Sequence, residues 1–526
     1  MAIACVRIVS TYNALSLTID EPFHFAAAIE YLADHTFSFD VENPPVARAV
    51  LALGPYLAGS RPVGKSDIRE EGRAILARSG KVERNIFLLR LGNLSFFLLG
   101  CLVVCAWSWQ MFGRPVAVLT TGLFTLLPTT LADAGLATTD MALGATVGAA
   151  FLTTIIWAER PIWWRALLMG LCAALAILSK FTALGYVAFT VILALACYLA
   201  FRWPGWRQLW RLALQRAPTF ALAGIAAALL VWAAYGFSFG IVSHLRINLP
   251  APDFFRGILD ARAHNRVGHG GYLFGEYRLT GWWYYFPVAL ALKMPVAFLV
   301  LVGLGIFVCL RERARLVYLF PLAFSLGILA PAMFGRINIG IRHIEPIYLG
   351  LSVIAALGLV QLLRWAHTGI ASAFTAGILL LWMIISVAVH HPDYLAYFNG
   401  FAGKHPENIL VDSNYDWGQD LKFLAKRLHE LGVEQFSLLS LDGAEKPEYS
   451  ESWYGLPTVK DVDDSVPSVG WTAISPTFAK SFRLQAELLG RPTVPHPWYE
   501  QIAPTERVAT LQLYYITPEQ RARFVH

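Results

Sequence analysis

Acidic and basic side chains lie next to several apolar segments of the chain, and their types suit group transfer. A carboxylate there can take a proton from an attacking hydroxyl, and Arg or Lys can hold a phosphate that gains charge as it leaves. The acidic candidates are Asp20, Glu21, Asp133 and Asp140, and the basic ones are Lys180, Arg336 and Arg342, with His24 and His343 beside them. Together they predict transfer from a phosphate-linked donor.

Each candidate also has a structural explanation. Asp140 follows two threonines and could cap a helix, and the three basic side chains could reach lipid headgroups. The two histidines could be ordinary hydrogen-bonding residues. A divalent metal held by Asp20 or Glu21 is left open, because no tight ligand spacing requires one. What favours a site is that all the candidates fall on one side of the predicted topology.

The composition is that of a membrane protein. Of 526 residues, 56% are hydrophobic and only 15% are charged, whereas soluble domains carry about 25% charged residues. Residues 1–389 hold 30 Lys and Arg against 18 Asp and Glu, but residues 390–526 hold 12 against 18. This predicts a membrane body of residues 1–389 and a soluble α/β domain of residues 390–526. The six cysteines show no metal-type spacing, and none lies in the tail.

Eleven segments are apolar enough to cross a membrane as helices, since a span needs about 20 apolar residues. They are residues 2–19, 91–111, 115–132, 141–158, 166–179, 183–201, 217–239, 295–310, 316–334, 344–363 and 369–389. The segment 281–294 is aromatic and ends before Pro295, which predicts an interfacial helix that leads into the next span. The alternative is that it simply extends that span.

Arginines in the short loops predict the orientation, because cytoplasmic loops are enriched in Lys and Arg. Eleven arginines fall in alternate loops: Arg114, Arg160, Arg165, Arg202, Arg207, Arg211, Arg216, Arg311, Arg313, Arg315 and Arg364. The N-terminus is then cytoplasmic, and an odd number of spans places the tail outside. The first outer loop, about 20–90, and the other site candidates lie on the tail's side. The net positive charge therefore indicates topology and no nucleic-acid partner.

The tail alternates helix and strand patterns. Residues 417–432 have apolar positions at helical spacing and end at a glycine. Strands are predicted at 436–441, 471–474 and 511–516. Asp412, Asp416 and Asp420 are spaced by four, which resembles one face of a helix. This spacing leaves open that the tail carries the chemistry on a membrane scaffold, although a solvated helix start is the simpler explanation.

Several short motifs resemble those of the GT-C glycosyltransferases, and more narrowly of bacterial members of glycosyltransferase family 39. That family includes the protein O-mannosyltransferases and is related to the aminoarabinose transferase that modifies lipid A. The motifs are IDEPFH (19–24), ENPPVAR (42–48), TTDM (138–141), SKF (179–181), GWWYYFP (281–287), LKMP (292–295), GIRH (340–343) and DSNYDWGQD (412–420). Their order along the chain makes the resemblance more specific than any one motif.

The resemblance implies a multi-pass helical membrane enzyme of eleven to thirteen spans in a bacterial inner membrane, with its site on the outer face. It implies a polyprenyl-phosphate sugar as donor, a lipid, glycan or protein hydroxyl as acceptor, and inversion at the anomeric carbon. Asp20 would be the general base, with Glu21 in support and Asp140 as a second acidic residue. Lys180, Arg342 and Lys293 would hold the phosphate. The repeat domain of eukaryotic protein mannosyltransferases is not found, so a protein acceptor does not follow.

The main competing hypothesis is a transporter or flippase that moves a lipid-linked sugar without chemistry. Transporters tend to place ionisable groups near the bilayer midplane and to contain paired halves. Here the candidate residues gather at one face, and the two halves of the chain show no detectable symmetry. The pattern therefore favours the transferase.

Overall fold

The computed structural model describes residues 1–242, 246–366, 370–440, 447–460, 465–491, 493–494 and 496–524. The part up to residue 389 is built from helices. They are α1 (Ala2–Thr11), α2 (Asp20–Asp34), α3 (Pro45–Leu57), α4 (Ile68–Arg78), α5 (Val82–Phe112), α6 (Arg114–Phe124), α7 (Pro128–Gly135), α8 (Asp140–Glu159), α9 (Trp163–Ser179), α10 (Thr182–Arg202), α11 (Trp206–Ala234), α12 (Pro252–Val267), α13 (Tyr285–Lys293), α14 (Val296–Arg311), α15 (Phe320–Met333), α16 (Ile347–Ala366) and α17 (Ile370–Val389). Two short antiparallel hairpins, β1 (Phe239–Val242) with β2 (Ile247–Pro250) and β3 (Gly271–Leu273) with β4 (Glu276–Arg278), flank α12.

The helices confirm a multi-pass membrane body, with fewer full-length spans than eleven. Among the described residues, seven helices are long and apolar enough to cross a membrane, and up to nine if each of two bent pairs counts as one span. The predicted span 166–179 becomes α9, which has 17 residues. The predicted span 2–19 contains only the ten-residue α1. A ten-residue helix is about 15 Å long, half the thickness of the hydrocarbon core.

Both bent pairs lie next to residues that the sequence singled out. The helices α6 and α7 meet at 65°, and α13 and α14 meet at 116°. The second break falls at Pro295, which cannot donate a backbone hydrogen bond and so ends α13. Residues 281–294 therefore do not extend the following span in a straight line.

The first outer loop folds as three helices, α2, α3 and α4, which pack on each other and on α5. The packing is close: a Cβ at Gly72 of α4 would lie 2.0 Å from the carbonyl oxygen of Pro22 in α2. Only glycine permits this approach, which holds the start of α2 against α4. The loop is thus an ordered layer that positions Asp20.

The tail is a small α/β domain, as predicted. Its five strands, in the order β6-β5-β7-β9-β8, are β5 (Gln435–Leu439), β6 (Thr458–Lys460), β7 (Gly470–Ile474), β8 (Glu506–Val508) and β9 (Leu511–Ile516). Strand β5 is parallel to β6 and β7, and β9 is antiparallel to β7 and β8. The helices are α18 (Leu421–Glu430), α19 (Pro447–Tyr454), α20 (Arg483–Leu488), α21 (Trp498–Gln501) and α22 (Pro518–Ala522).

The segment between α17 and α18 packs with the membrane body. Tyr394, Leu395, Leu410 and Trp417 are buried in the same apolar core as the transmembrane helices, whereas the tail sheet has separate clusters. The division at residue 389 stays a prediction. We propose that the folding boundary lies near residue 420, because the preceding segment contributes to the core of the body.

Candidate active site

Four of the predicted site residues meet in one ion-pair network. Arg342 donates from Nη1 to Asp140 Oδ2 at 3.2 Å and from Nη2 to Asp20 Oδ2 at 3.1 Å. Lys180 Nζ lies 2.6 Å from the other oxygen of Asp140. These residues are up to 322 positions apart in the sequence. The network gives two cations and two carboxylates in one cluster.

Chain reversals between helices bring the four residues together. Asp20 and Asp140 each occupy the first position of a helix, α2 and α8, where the helix dipole favours negative charge. Lys180 lies between α9 and α10, and Arg342 lies in a 3-10 turn, Ile341–Ile344, between α15 and α16. All these positions are at the same end of the helical body.

The exposure of the side chains in the network increases from the interior to the surface. The side chain of Asp140 is fully buried, Arg342 is 6% exposed and Asp20 is 27% exposed. Burial alone would lower the pKa of Arg342, but Asp140 and Asp20 raise it above its ordinary value. The guanidinium is therefore charged at any physiological pH, and Asp20 is the carboxylate that faces the outside.

The side chain of Asp140 does not cap its helix. The residue before it, Thr139, occupies the cap position, and no side chain there makes a capping hydrogen bond. Both carboxylate oxygens of Asp140 accept from cations instead. Burying a carboxylate is costly unless it is paired, so the two cations are what hold Asp140 in place.

Of the two predicted supporting histidines, His24 is buried and His343 is partly buried, and the pKa of each is lowered. Burial lowers the pKa of His24 to about 4, and burial with the nearby charge of Lys180 and Arg342 lowers that of His343 well below its usual value. Nδ1 of His24 and Nε2 of His343 have no hydrogen-bond partner among the described residues. Each histidine thus offers an uncharged donor or acceptor near the network.

Glu21 was expected to support the base, but the structure gives it a different role. Its side chain is fully buried and forms a bidentate ion pair with Arg90, with both contacts at 2.8 Å. It also accepts from the backbone N–H groups of Thr18 and Ala137. Adjacent residues in a helix point in different directions, so Asp20 faces the site while Glu21 faces the interior. The expectation that Glu21 acts in catalysis is therefore corrected.

We expect Glu21→Gln to lower the free energy of unfolding by about 3–5 kcal/mol, because it leaves Arg90 buried without a counter-ion. Burial alone would raise the pKa of Glu21, but Arg90 and the N–H donors lower it overall. The stabilisation is therefore present above the ordinary carboxyl pKa and is lost as the pH falls through the folded-state pKa. Thermal unfolding of the detergent-solubilised protein across pH measures this.

The matched control for that variant is Glu83→Gln, which removes the ion pair of the exposed Glu83 with Lys422. Exposed pairs contribute little, so its melting temperature should stay close to that of the wild type. A Glu21→Gln variant with unchanged melting temperature but lost turnover would contradict the structural role.

Lys293 was expected to hold the donor phosphate, and the structure corrects this as well. Its Nζ donates to three backbone carbonyls, those of Leu395, Tyr397 and Asn414, and lies 4.3 Å from the ring centroid of Phe398. An ammonium has three donors, so none is left for a phosphate. Lys293 instead joins the end of α13 to the segment between α17 and α18.

Arg336 lies apart from the network, although it shares a loop with Arg342. Its side chain is exposed, and its Nη1 donates to the carbonyl of Arg266 at 2.9 Å. Its backbone N–H donates to Asn265. The structure does not place it with Asp20 and Asp140, and a role in phosphate binding stays a prediction.

Metal binding at Asp20 or Glu21 does not fit the contacts. The lone pairs of Glu21 are used by Arg90 and by backbone donors, and Asp20 lies against the Arg342 cation. In the part of the chain that the structure describes, no group of three His, Cys, Asp or Glu residues could hold a metal ion. His264 and Glu42 do make a close pair at 2.8 Å.

The segment before α18 contributes two residues that the sequence did not single out. Ser413 Oγ accepts from Arg342 Nε at 3.0 Å, and the ring of Trp417 lies under the guanidinium, with its centroid 4.0 Å from Cζ. A Cβ at Gly340 would lie 2.0 Å from Ser413 Oγ, so glycine is needed for this close approach. The only sequence signal was the motif that contains both residues.

The helix face expected from Asp412, Asp416 and Asp420 is wrong. Residues 412–414 form a single 3-10 turn, and α18 begins only at Leu421. Asp416 accepts from Ser475 of the tail, and Asp420 accepts from Thr510. These acids tie the segment to the tail sheet, so they do not form a separate catalytic face.

Comparisons with known proteins agree with the architecture. Residues 1–243 match the family model described as dolichyl-phosphate-mannose-protein mannosyltransferase. No curated protein gives a significant sequence match.

Among solved structures, ArnT from Cupriavidus metallidurans bound to undecaprenyl phosphate superimposes with a TM-score of 0.53 at 14% identity, over 97% of this chain and 96% of that one. The oligosaccharyltransferase AglB from Archaeoglobus fulgidus aligns more weakly, with a TM-score of 0.47 at 13% identity, over 90% of this chain and 69% of that one. The chain therefore shares the fold of ArnT, and its first 243 residues resemble the dolichyl-phosphate-mannose-protein mannosyltransferase family.

Proposed function

We propose that the protein is a membrane glycosyltransferase that moves a sugar from a polyprenyl-phosphate donor to a hydroxyl acceptor. The single observation that carries this proposal is the contact of one guanidinium with both Asp20 and Asp140. This arrangement provides a surface-facing carboxylate and a charged anion-binding group within one hydrogen-bond length. The relative ArnT was solved with undecaprenyl phosphate bound, which supports a lipid-linked donor.

In the proposed reaction, the acceptor oxygen forms a bond to the anomeric carbon as the bond from that carbon to the phosphate oxygen breaks. The acceptor proton passes to Asp20. Arg342 and Lys180 stabilise the charge that develops on the leaving polyprenyl phosphate. A single displacement of this kind inverts the anomeric carbon. Asp140 accepts from both cations and holds them side by side.

Asp20 is suited to the role of base by its exposure. It is the most exposed carboxylate of the network, at 27%, and Oδ1 accepts no hydrogen bond from the described residues. An acceptor hydroxyl can therefore reach this oxygen from the outer side. Asp140, with no exposed side-chain surface, cannot be reached in that way.

We also propose that the site faces the extracytoplasmic side of an inner membrane. The loop arginines lie at the helix ends opposite the network: Arg160 follows the end of α8, whereas Asp140 begins it. Arg165 lies at the start of α9, and Lys180 follows its end. Since Lys and Arg are enriched in cytoplasmic loops, the network lies on the other side.

The test is mass spectrometry of lipids, glycans and surface proteins from a strain that lacks the gene and from its parent. One class should be lighter by one sugar in the deletion strain, and the wild-type gene should restore it. This result would name the donor sugar and the acceptor together. No change in any class would contradict the proposal.

The transport hypothesis receives no support from the relatives named above. It predicts that reconstituted protein moves a lipid-linked sugar across the bilayer of proteoliposomes without transferring the sugar. Transfer to an acceptor in the same vesicles would exclude a purely translocating role.

A further inference from the structure

Three in-plane donors and one ring determine where the Arg342 guanidinium lies. Nη1, Nη2 and Nε point to Asp140, Asp20 and Ser413. The indole of Trp417 covers one face of the guanidinium, with 4.0 Å between Cζ and the ring centroid. Trp417 is only 4% exposed, and a cation–π contact is stronger when it is removed from water.

The backbone of Trp417 also holds the chain next to Asp20. Its carbonyl oxygen accepts from the N–H of Ile19 at 3.2 Å. Two further contacts lie beside it: Ser16 N donates to the carbonyl of Gln419 at 2.9 Å, and Ser16 Oγ donates to that of Gly418 at 2.8 Å. One residue thus contacts the basic group of the site through its ring and the segment before the acidic group through its backbone.

Residues that follow strand β7 of the tail sheet hold Asp416, the residue before Trp417. Thr477 Oγ1 donates to the carbonyl of Asp416 at 2.6 Å, and Ser475 donates to its carboxylate. Both donors follow the end of β7. The N–H of Trp417 donates to Gln419 Oε1 at 2.8 Å. The position of the indole is therefore set by the tail domain as well as by the body.

We infer that Trp417 is a positioning residue that holds Arg342 at its distance from Asp20, and that the tail domain acts on the site through it. The inference rests on the proposed function, because Arg342 is taken to bind the donor phosphate. It assigns the tail a role in the geometry of phosphate binding, without a reacting group of its own.

The first test measures position directly and does not depend on activity. Structures of full-length Trp417→Leu and Trp417→Phe are determined by cryo-electron microscopy. In Trp417→Leu we expect Arg342 Nη2 to leave hydrogen-bond distance of Asp20 Oδ2, because no ring supports the guanidinium. In Trp417→Phe the contact should remain, because an aromatic face is retained. An unmoved Arg342 in Trp417→Leu would overturn the inference.

The second test measures binding of undecaprenyl phosphate to the purified proteins. Trp417→Leu should raise the Kd about tenfold, and Trp417→Phe should stay within about threefold of the wild type. The matched control is Trp471→Leu in β7, where the half-buried ring packs on Tyr515. This control should change melting temperature without changing Kd.

The outcomes separate the two proposals. If Trp471→Leu weakens binding as much as Trp417→Leu, the effect is a general loss of tail stability and the positioning role is wrong. If the wild type binds no undecaprenyl phosphate, the proposed function fails, and the structures of the two Trp417 variants still decide whether the ring positions Arg342.

Discussion

Asp20→Asn is expected to lower kcat by a factor of about 100 to 10,000, the range that a general base contributes. Asparagine keeps an oxygen that can accept from Arg342 Nη2, so the network should stay in place. Binding of undecaprenyl phosphate and the melting temperature should therefore change little. Initial rates of sugar transfer in detergent or proteoliposomes, measured together with Kd, test this.

The matched control is Asp34→Asn, which makes the same change at the exposed end of the same helix, α2. Its kcat should equal that of the wild type. Wild-type turnover in Asp20→Asn would show that another group accepts the proton. A large rise in Kd for Asp20→Asn alone would show that the carboxylate acts in binding.

Arg342→Gln should affect both donor binding and stability. Hydrogen bonds to charged groups contribute about 1.5–3 kcal/mol each, so the loss of the proposed guanidinium–phosphate contact should raise the Kd for undecaprenyl phosphate at least about tenfold. Asp140 would keep only Lys180 as a partner. Breaking a buried pair costs about 3–5 kcal/mol, so the melting temperature should fall as well.

Arg336→Gln is the control on the same loop, because Arg336 is exposed and lies outside the network. It should leave Kd and melting temperature nearly unchanged. A loss of binding in Arg336→Gln equal to that in Arg342→Gln would mean that the phosphate lies closer to the exposed Arg336 than we propose. The Kd of Arg342→Lys should fall between those of Arg336→Gln and Arg342→Gln, since lysine keeps the charge but not the planar set of donors.

Much of the fold could be predicted from the sequence. Long apolar segments show where helices can cross the membrane, and loop arginines show their orientation. The same topology predicts that Asp20, Asp140, Lys180 and Arg342 lie at one face. The count of spans was less predictable. Breaks such as the one at Pro295 divide apolar segments into shorter helices, and apolar content alone does not reveal the 116° bend that follows.

The roles of Glu21 and Lys293 could not be predicted, because each depends on partners that are distant in sequence. Glu21 pairs with Arg90, 69 residues away, and nothing local distinguishes it from Asp20. Among the described residues, Lys293 forms no ion pair with an acid. It binds backbone carbonyls more than 100 residues away, and backbone acceptors have no sequence signature. A charged residue near a span is therefore equally consistent with a catalytic site and with a buried contact that stabilises the fold.

Trp417 shows a further limit of local patterns. The acids around it have helical spacing, but Asp416 and Asp420 bind two separate partners, and the segment forms only a single 3-10 turn before α18. The tertiary contacts of this segment override its periodicity. Its importance to the site becomes visible only when Arg342 is placed over the indole.

The sharing of Arg342 between Asp20 and the expected phosphate site has a kinetic consequence. While Asp20 Oδ2 accepts from Arg342 Nη2, the carboxylate is held in one orientation. A phosphate that engages Nη2 releases Asp20, so the carboxylate can turn toward the acceptor hydroxyl only when the donor is bound. Substrate order would then be compulsory, with donor before acceptor, and an inert acceptor analogue should inhibit uncompetitively with respect to donor. The activated sugar would be exposed to an active base only in the complex that can use it.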